Sequence, residues 1–313
     1  MLAYAVKRTV TTVPIMLGVS VLVFLLMQLI PGNAAVAMLG PAAGNPHALA
    51  QMERYLGLNR PIAVQYLIWL GHLVHGNLGQ STEYSQPVAG ILAQRVHNSL
   101  ILLAASLLLS IVFGVLIGVV SASRPGSVFD RIAMSACLVL ASAPTFWLGL
   151  LLLWFFAVHL RVFPEMGMYT LGQHGFFDLI RHLVLPALAT AAIPIAVIGR
   201  LVRSSMLEVL SQPYVLALRT RGLSTLRVHM HAFRNVLVPT VNIVALQAGF
   251  VFGSALYTEV VFNWPGVGLL IYNALLARDL AVVQATVLVI SLVFVVFNLA
   301  ADLVRVAIDP RER

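Results

Sequence analysis

Apolar residues in this chain come in long blocks, and the polar positions gather between them. The blocks cover residues 9–30, 98–120, 132–158, 183–202, 241–257 and 281–304. An α-helix rises 1.5 Å per residue and the hydrocarbon layer of a bilayer is about 30 Å thick, so about 20 apolar residues cross it. The pattern predicts an all-α, polytopic membrane protein with six transmembrane helices. Ala35-Val36-Ala37 resembles a signal-peptide cleavage site, but the first block exceeds the roughly 7–15 residues of a signal-peptide core. It reads as an uncleaved span. Pro144 lies inside the third block, and Pro186 and Pro194 inside the fourth. A mid-span proline frees a backbone carbonyl, which is tolerated where a neighbour or a water-lined cavity satisfies it.

Residues 31–96 form a mixed polar segment too long for a turn, opened by the turn formers Pro31-Gly32-Asn33. Within it, residues 62–75 follow Pro61 at an expected first helical position. Helical spacing puts Ile62, Tyr66, Trp69 and Leu73 on one face, which suits either an extramembrane helical cap or a helix lying at the interface. The organisation read from the pattern is a tail and first span over residues 1–30, an extracytoplasmic segment over 31–96, a five-helix core over 97–307 and a cytoplasmic end over 308–313. No repeat stands out.

Composition narrows the class. The 313 residues are 60% hydrophobic and 10% charged, against roughly 25% charged in soluble domains. The one cysteine, Cys137, lies in an apolar run, so no intramolecular disulfide forms. The one lysine, Lys7, precedes Arg8, so the Gly-Lys-[Ser/Thr] of a phosphate-binding loop is missing. If ATP powers this protein, another subunit binds it with its Mg²⁺, and the chain itself is expected to bind no cofactor.

Charge sets the orientation. Six spans place both termini, the loop near Arg124 and the stretch near Arg219 on one side, with 13 basic and 5 acidic residues. The other side holds six of each, so the whole net charge of +8 falls on one face. By the positive-inside rule that face is cytoplasmic. The protein is expected in the inner membrane, with both termini inside the cell.

Ion-coupled transporters mark their pathway with ionisable groups at mid-membrane. Here the central polar residues are neutral: among them Ser142, Asn242, Gln247 and Ser254, with Gly249 and Gly253 at small-xxx-small spacing. These six are candidate pathway-lining positions, and plain helix packing is the alternative. His229 and His231 fall on different helix faces, and His72 and His75 suit an interfacial helix better than a ligand pair, so no metal site is expected. The sequence has neither an H-E-x-x-H nor a G-x-S-x-G motif nor paired intramembrane carboxylates, so no catalytic residue is assigned and an intramembrane enzyme is disfavoured.

The longest polar interruption with helical texture is residues 208–239. It carries Arg219, Arg221, Arg227 and Arg234 against one acid, Glu208. Pro213 suits a helix first turn, residues 214–221 read as a short helix, and Gly222 as its left-handed end. Ser224 is an expected N-cap for a second helix over residues 225–236, and Pro239 then opens the fifth span. Arginines that only set topology or touch anionic lipid need neither a glycine corner nor the interleaved Tyr214, Leu218, Leu223, Met230 and Phe233. The stretch reads as a docking element through which a separate engine drives a pore.

Tyr214, Arg219, Arg221, Gly222 and Leu223, followed by His231, Arg234, Asn235 and Pro239, resemble the cytoplasmic coupling motif of binding-protein-dependent ABC importers. The chain is most similar to the inner-membrane permeases of the dipeptide, oligopeptide and nickel group. Further anchors lie at Leu56-Gly57-Leu58, Leu78-Gly79, Pro144-Thr145-Phe146-Trp147, Arg203-Ser204-Ser205-Met206, Trp264-Pro265-Gly266, Arg278-Asp279 and Asp309-Pro310-Arg311. Leu218 stands where alanine is usual, and Asn33 and Asn77 where aspartates are common, which bears on solute preference. The resemblance implies a type I importer permease fold and a second, homologous permease as a heterodimeric partner. It also implies two ATPase subunits docked on the helices of residues 208–237 and an external solute-binding protein. Di- or oligopeptides are the expected solute, with nickel or glutathione as alternatives on the same frame. A self-sufficient secondary transporter is the rival class. Membrane lipid is an expected contact and nucleic acid is not.

Overall fold

A computed structural model describes residues 2–29, 34–39, 44–172 and 175–308. The described residues are mostly helical. They form α1 (Leu2–Leu29), α2 (Ala34–Leu39), α3 (Pro46–Leu56), α4 (Ile62–Val74), α5 (Val88–Ser123), α6 (Val128–Ser142), α7 (Thr145–Leu152), α8 (Phe176–Leu210), α9 (Pro213–Thr220), α10 (Thr225–Val261), α11 (Val267–Leu276) and α12 (Leu280–Ile308). Four helices, α5, α8, α10 and α12, are long and apolar enough to cross a membrane, and the pair α6–α7 makes a fifth if its two bent halves are one span. In α1, residues 11–26 are a shorter apolar stretch. The expected turn at Pro31-Gly32-Asn33 and the motif at Asp309-Pro310-Arg311 lie outside the described residues.

The chain divides into two compact units. The first comprises residues 100–264 and the end of α12, and is built around α8. In its apolar window α8 is 72% buried, against 28% for α5. The reason is side-chain size: Ala187, Ala189, Ala191, Ala192, Ala196 and Gly199 let neighbouring backbones approach closely. Gly114 and Gly118 of α5 meet α8 at Ile198, Gly199 and Val202. Pro186 and Pro194 both lie within the continuous α8. The Thr190 hydroxyl bonds back to the Pro186 carbonyl at 2.9 Å and lies 3.0 Å from the Thr258 hydroxyl of α10.

The third apolar block is not one straight span. It breaks at Pro144 into α6 and α7, which are bent by 112° and extended by a π-helical turn at Leu153–His159. Proline disfavours helical geometry in the residue before it, and Ala143 is extended at φ −85°, ψ 136°. The fifth block differs in the opposite sense. The expected second helix over residues 225–236 and the span opened by Pro239 are one unbroken helix, α10. Pro239 cannot bond to the Asn235 carbonyl, and next to it the Thr240 hydroxyl donates to the Val236 carbonyl at 2.7 Å.

The second unit comprises residues 2–99 and 265–296. Its core joins Val88, Ile91 and Leu92 at the start of α5 to Leu270 and Ala274 of α11 and Val282 of α12. Asp279, 1% exposed, organises this region. It accepts from the Ser81 hydroxyl at 2.5 Å, the Glu83 N–H at 3.2 Å and the Val282 N–H at 3.2 Å, capping α12. In the same unit α1, α3 and α4 pack together, with Pro61 at the N-cap of α4, one position earlier than expected.

Candidate functional site

The polar stretch folds into a two-helix elbow within the first unit. Pro213 starts α9 in the first turn. Gly222 ends it at φ 79°, with the Gly222 N–H on the Arg219 carbonyl at 3.0 Å and the Leu223 N–H on the Leu218 carbonyl at 3.3 Å. That pair of bonds is a Schellman cap, whose left-handed residue is strongly biased to glycine. Ser224 occupies the N-cap of α10 but makes no side-chain capping bond there. The two arms are tied together by Asn235, whose amide donates to the Tyr214 hydroxyl at 2.7 Å.

Each arm has an inward and an outward face. Val228, Ala232 and Val236 recur at helical spacing and are fully buried. Ala232 and Val236 lie in a cluster with Ile198, Val202 and Met206 of α8 and Ala122 of α5. Val215 buries α9 similarly. Leu218, Leu223 and Phe233 are half-buried, so they belong to the elbow's own packing. The outward face carries Leu216, Leu226 and Met230, exposed by 66%, 71% and 55%. Arg219, Arg221, Arg227 and Arg234 are exposed, as are His231 and Tyr214. The four arginines make no ion pair among the described residues. Leu216 and Leu226 were not singled out by sequence reasoning. The signal was available, since Leu226, Met230 and Arg234 recur every fourth residue on the side of α10 opposite Val228, Ala232 and Val236.

Beneath the elbow lies an open cavity of about 400 Å³, lined by Ser123, Pro125, Leu207, Arg219, Leu223 and His229 among others. The His229 imidazole bonds at 2.7 Å to the Thr225 carbonyl. Behind the elbow a second device holds α6 to α8. Asp130, 3% exposed, takes both the Nε (2.5 Å) and an Nη (2.7 Å) of Arg203. The same carboxylate accepts the Gly126 N–H at 2.9 Å, at the tight turn where Gly126 has φ 77°. Sequence reasoning took Asp130 only into the charge count and Arg203 only into that count and the anchor Arg203-Ser204-Ser205-Met206. Their pairing spans 73 positions and has no local signal.

The candidate pathway residues do not share one environment. Gln247, Gly249 and Ser254 are buried, Asn242 is half-buried, and Ser142 and Gly253 are exposed. Ser254 donates to the Val251 carbonyl and Ser142 to the Leu138 carbonyl. Nothing lies within 4 Å of a Cβ built on Gly253. The open face of α10 there consists of Leu246, Phe250, Gly253 and Tyr257, at the spacing of one helical stripe. No group of three or more metal-ligating side chains forms among the described residues.

Long apolar helices packed around α8, with a basic elbow held against it, have the architecture of a polytopic membrane protein. Residues 114–313 match the family described as binding-protein-dependent transport system inner membrane component, and residues 1–112 match its N-terminal counterpart. The chain is 37% identical to a dipeptide transport system permease protein of Alkalihalophilus pseudofirmus, over 99% of each chain. It is 36% identical to an oligopeptide transport system permease protein of Bacillus subtilis, again over 99% of each. Among solved structures, the MetNI methionine ABC transporter in an inward-facing conformation shares the fold, with a TM-score of 0.56 at 21% identity over 70% of this chain and 96% of that one. The chain belongs to the family of binding-protein-dependent transport system inner membrane components. It is the permease subunit of an ABC importer and a multi-pass protein of the inner membrane, a class that works with ATPase and solute-binding partners.

Proposed function

We propose that this chain forms half of a translocation pathway for di- and oligopeptides and is driven by alternating access through the elbow at Gly222. The observation that carries the coupling role is the elbow itself: a Schellman-capped corner, anchored inward on α8, that presents Leu216, Leu226 and Met230 outward beside exposed arginines that make no ion pair among the described residues. Such a face fits an apolar cleft rimmed by carboxylates on an ATPase subunit. Two such subunits hold ATP and Mg²⁺, while this chain binds no cofactor and performs no catalysis. A second, homologous permease completes the pathway, and an external binding protein delivers the solute. Six spans place both termini in the cytoplasm, which puts the elbow on the ATPase side. Peptide as solute is supported by the names of the full-length relatives. ATP-driven closure of the ATPase pair would pull the elbows together and favour the outward-facing state.

Proteoliposomes test this directly. The chain reconstituted with its partner permease, two ATPases and binding protein is expected to take up labelled dipeptide only when ATP is present on the elbow side. Uptake by the chain alone on an ion gradient would overturn the proposal.

The corner makes a separate prediction. A Cβ at Gly222 meets nothing within 4 Å, so the cost of Gly222→Val is conformational, about 1–2 kcal/mol for an L-residue forced left-handed. That corresponds to a population loss of roughly tenfold in the native elbow. The variant is expected to insert normally but to lose ATPase co-purification and uptake together. Retention of both would separate the corner from coupling.

A further inference from the structure

We propose that α4 is embedded in the outer-leaflet interface of the bilayer, with a stripe of its side chains in contact with lipid acyl chains, and is not a cap standing in water.

The placement follows from what α4 bonds to. Ser20, Phe24 and Gln28 recur every fourth residue on α1, and each touches α4. The Ser20 and Tyr66 hydroxyls are 2.8 Å apart, Phe24 packs against both Tyr66 and Trp69 at 5.5 and 5.7 Å between ring centroids, and Gln28 donates to Gln65 at 3.2 Å. The crossing centres on Phe24, five residues before Leu29 ends the helix. At 1.5 Å per residue that is about 7–8 Å below the outer end of α1. Interfacial helices lie about 5–10 Å into the headgroup–acyl boundary, so the depth agrees with a helix lying in the interface.

The polar groups of α4 are arranged for such a site. Gln65 is buried; its amide donates to the carbonyls of Leu58 and Arg60 and its oxygen accepts from Gln28. Its side chain therefore asks nothing of water, as a low-dielectric setting requires. His72 stacks on Tyr55 of α3. Tyr66 and Trp69 are the residue types that favour the headgroup level.

The opposite side of α4 is apolar and bare. Ala63, Leu67, Leu70 and Val74 follow helical spacing, and Leu67 and Val74 are exposed by 63% and 76%. This stripe points away from both α1 and α3. Leu22, Leu25 and Leu26, on the face of α1 opposite its α4 contacts, are also exposed; with α1 as a span they meet lipid, and α4, packed across the outer end of the same helix, reaches the same medium. The lipid also explains why a 13-residue helix with no Asp, Glu, Lys or Arg leaves Leu67 and Val74 uncovered.

Single spin labels at Leu67→Cys, Val74→Cys and, as an aqueous reference, Thr82→Cys test the placement, in a Cys137→Ala background and in the assembled importer in liposomes. Labels at the two stripe positions are expected to collide at least threefold more with oxygen, relative to a water-soluble nickel relaxant, than the label at Thr82. Equal nickel accessibility at all three positions would overturn the proposal in favour of a cap in water. Shielding of the stripe labels from both relaxants would overturn it in favour of a protein partner. None of these readouts depends on transport, so they stand apart from the test of peptide uptake.

Discussion

Gly118→Leu is expected to unseat α5 from α8 and to abolish a stable, monodisperse permease. A Cβ at Gly118 would sit 2.6 Å from the Val202 Cβ and 2.7 Å from the Gly199 carbonyl oxygen. One turn earlier, a Cβ at Gly114 would meet the Ile198 Cβ at 2.8 Å and the Ile195 carbonyl at 3.2 Å. Branch points and backbone carbonyls cannot rotate aside, so the helices must separate. In lipid, helix association rests on close packing because hydrocarbon is as apolar as leucine itself. Overpacking costs typically 1–3 kcal/mol, and with a backbone group in the way the upper figure of about 3 kcal/mol applies. Gly90 on the same helix has nothing within 4 Å of its would-be Cβ. Gly90→Ala is therefore expected to be neutral or to gain up to about 1 kcal/mol from helix propensity. Thermal melting in nanodiscs, read by fluorescence size exclusion, checks both. A melting point for Gly118→Leu equal to wild type would contradict the crossing.

Asp130→Ala is expected to cost about 3 kcal/mol, because it strands Arg203 and removes the acceptor of the Gly126 turn. Breaking a buried pair by removing one partner costs about 3–5 kcal/mol. The lower figure is appropriate here, since the Arg203 side chain keeps 27% of its surface exposed while Asp130 keeps 4%. Arg203→Lys replaces a planar fork by a point charge and is expected to lose part of the effect. Asp130→Ala combined with Arg203→Met leaves no stranded charge and should recover much of the loss. The functional consequence follows from position. Arg203 lies one turn before Met206, which packs under the elbow, so the single variant should weaken ATPase co-purification as well as lower the melting temperature. A neutral Asp130→Ala would show that the pair carries no positioning role.

Prolines show how far sequence reasoning reaches. Pro144, Pro186, Pro194 and Pro239 all sit in apolar or helical stretches, yet α6–α7 breaks at Pro144 while α8 and α10 run through the other three. The difference is not in the prolines themselves: α8 is confined by the helices packed around it, 72% buried in its apolar window, which holds it continuous through Pro186 and Pro194. The amphipathic segment at residues 62–75 reads as helical in the sequence and is helical over Ile62–Val74, with cap and interfacial helix both open in the pattern; contacts from Ser20, Phe24 and Gln28 are the observation on which the interfacial proposal rests.

What the sequence alone determined is whatever depends on neighbours in the chain. Apolar block length made the protein polytopic and helical. A glycine between two polar helical runs specified the left-handed corner at Gly222, because that cap closes within six residues of its own helix. The ordered motif anchors placed the chain in its family. What only the tertiary structure decided depends on residues far apart in sequence: the glycine face of α5 against α8, the Asp130–Arg203 clasp, and the division of the elbow into an inward valine–alanine face and an outward leucine–arginine face. The physical reason is that close packing and charge pairing act over a few ångströms in space, and a linear pattern carries the periodicity of each helix but not the identity of what each face meets.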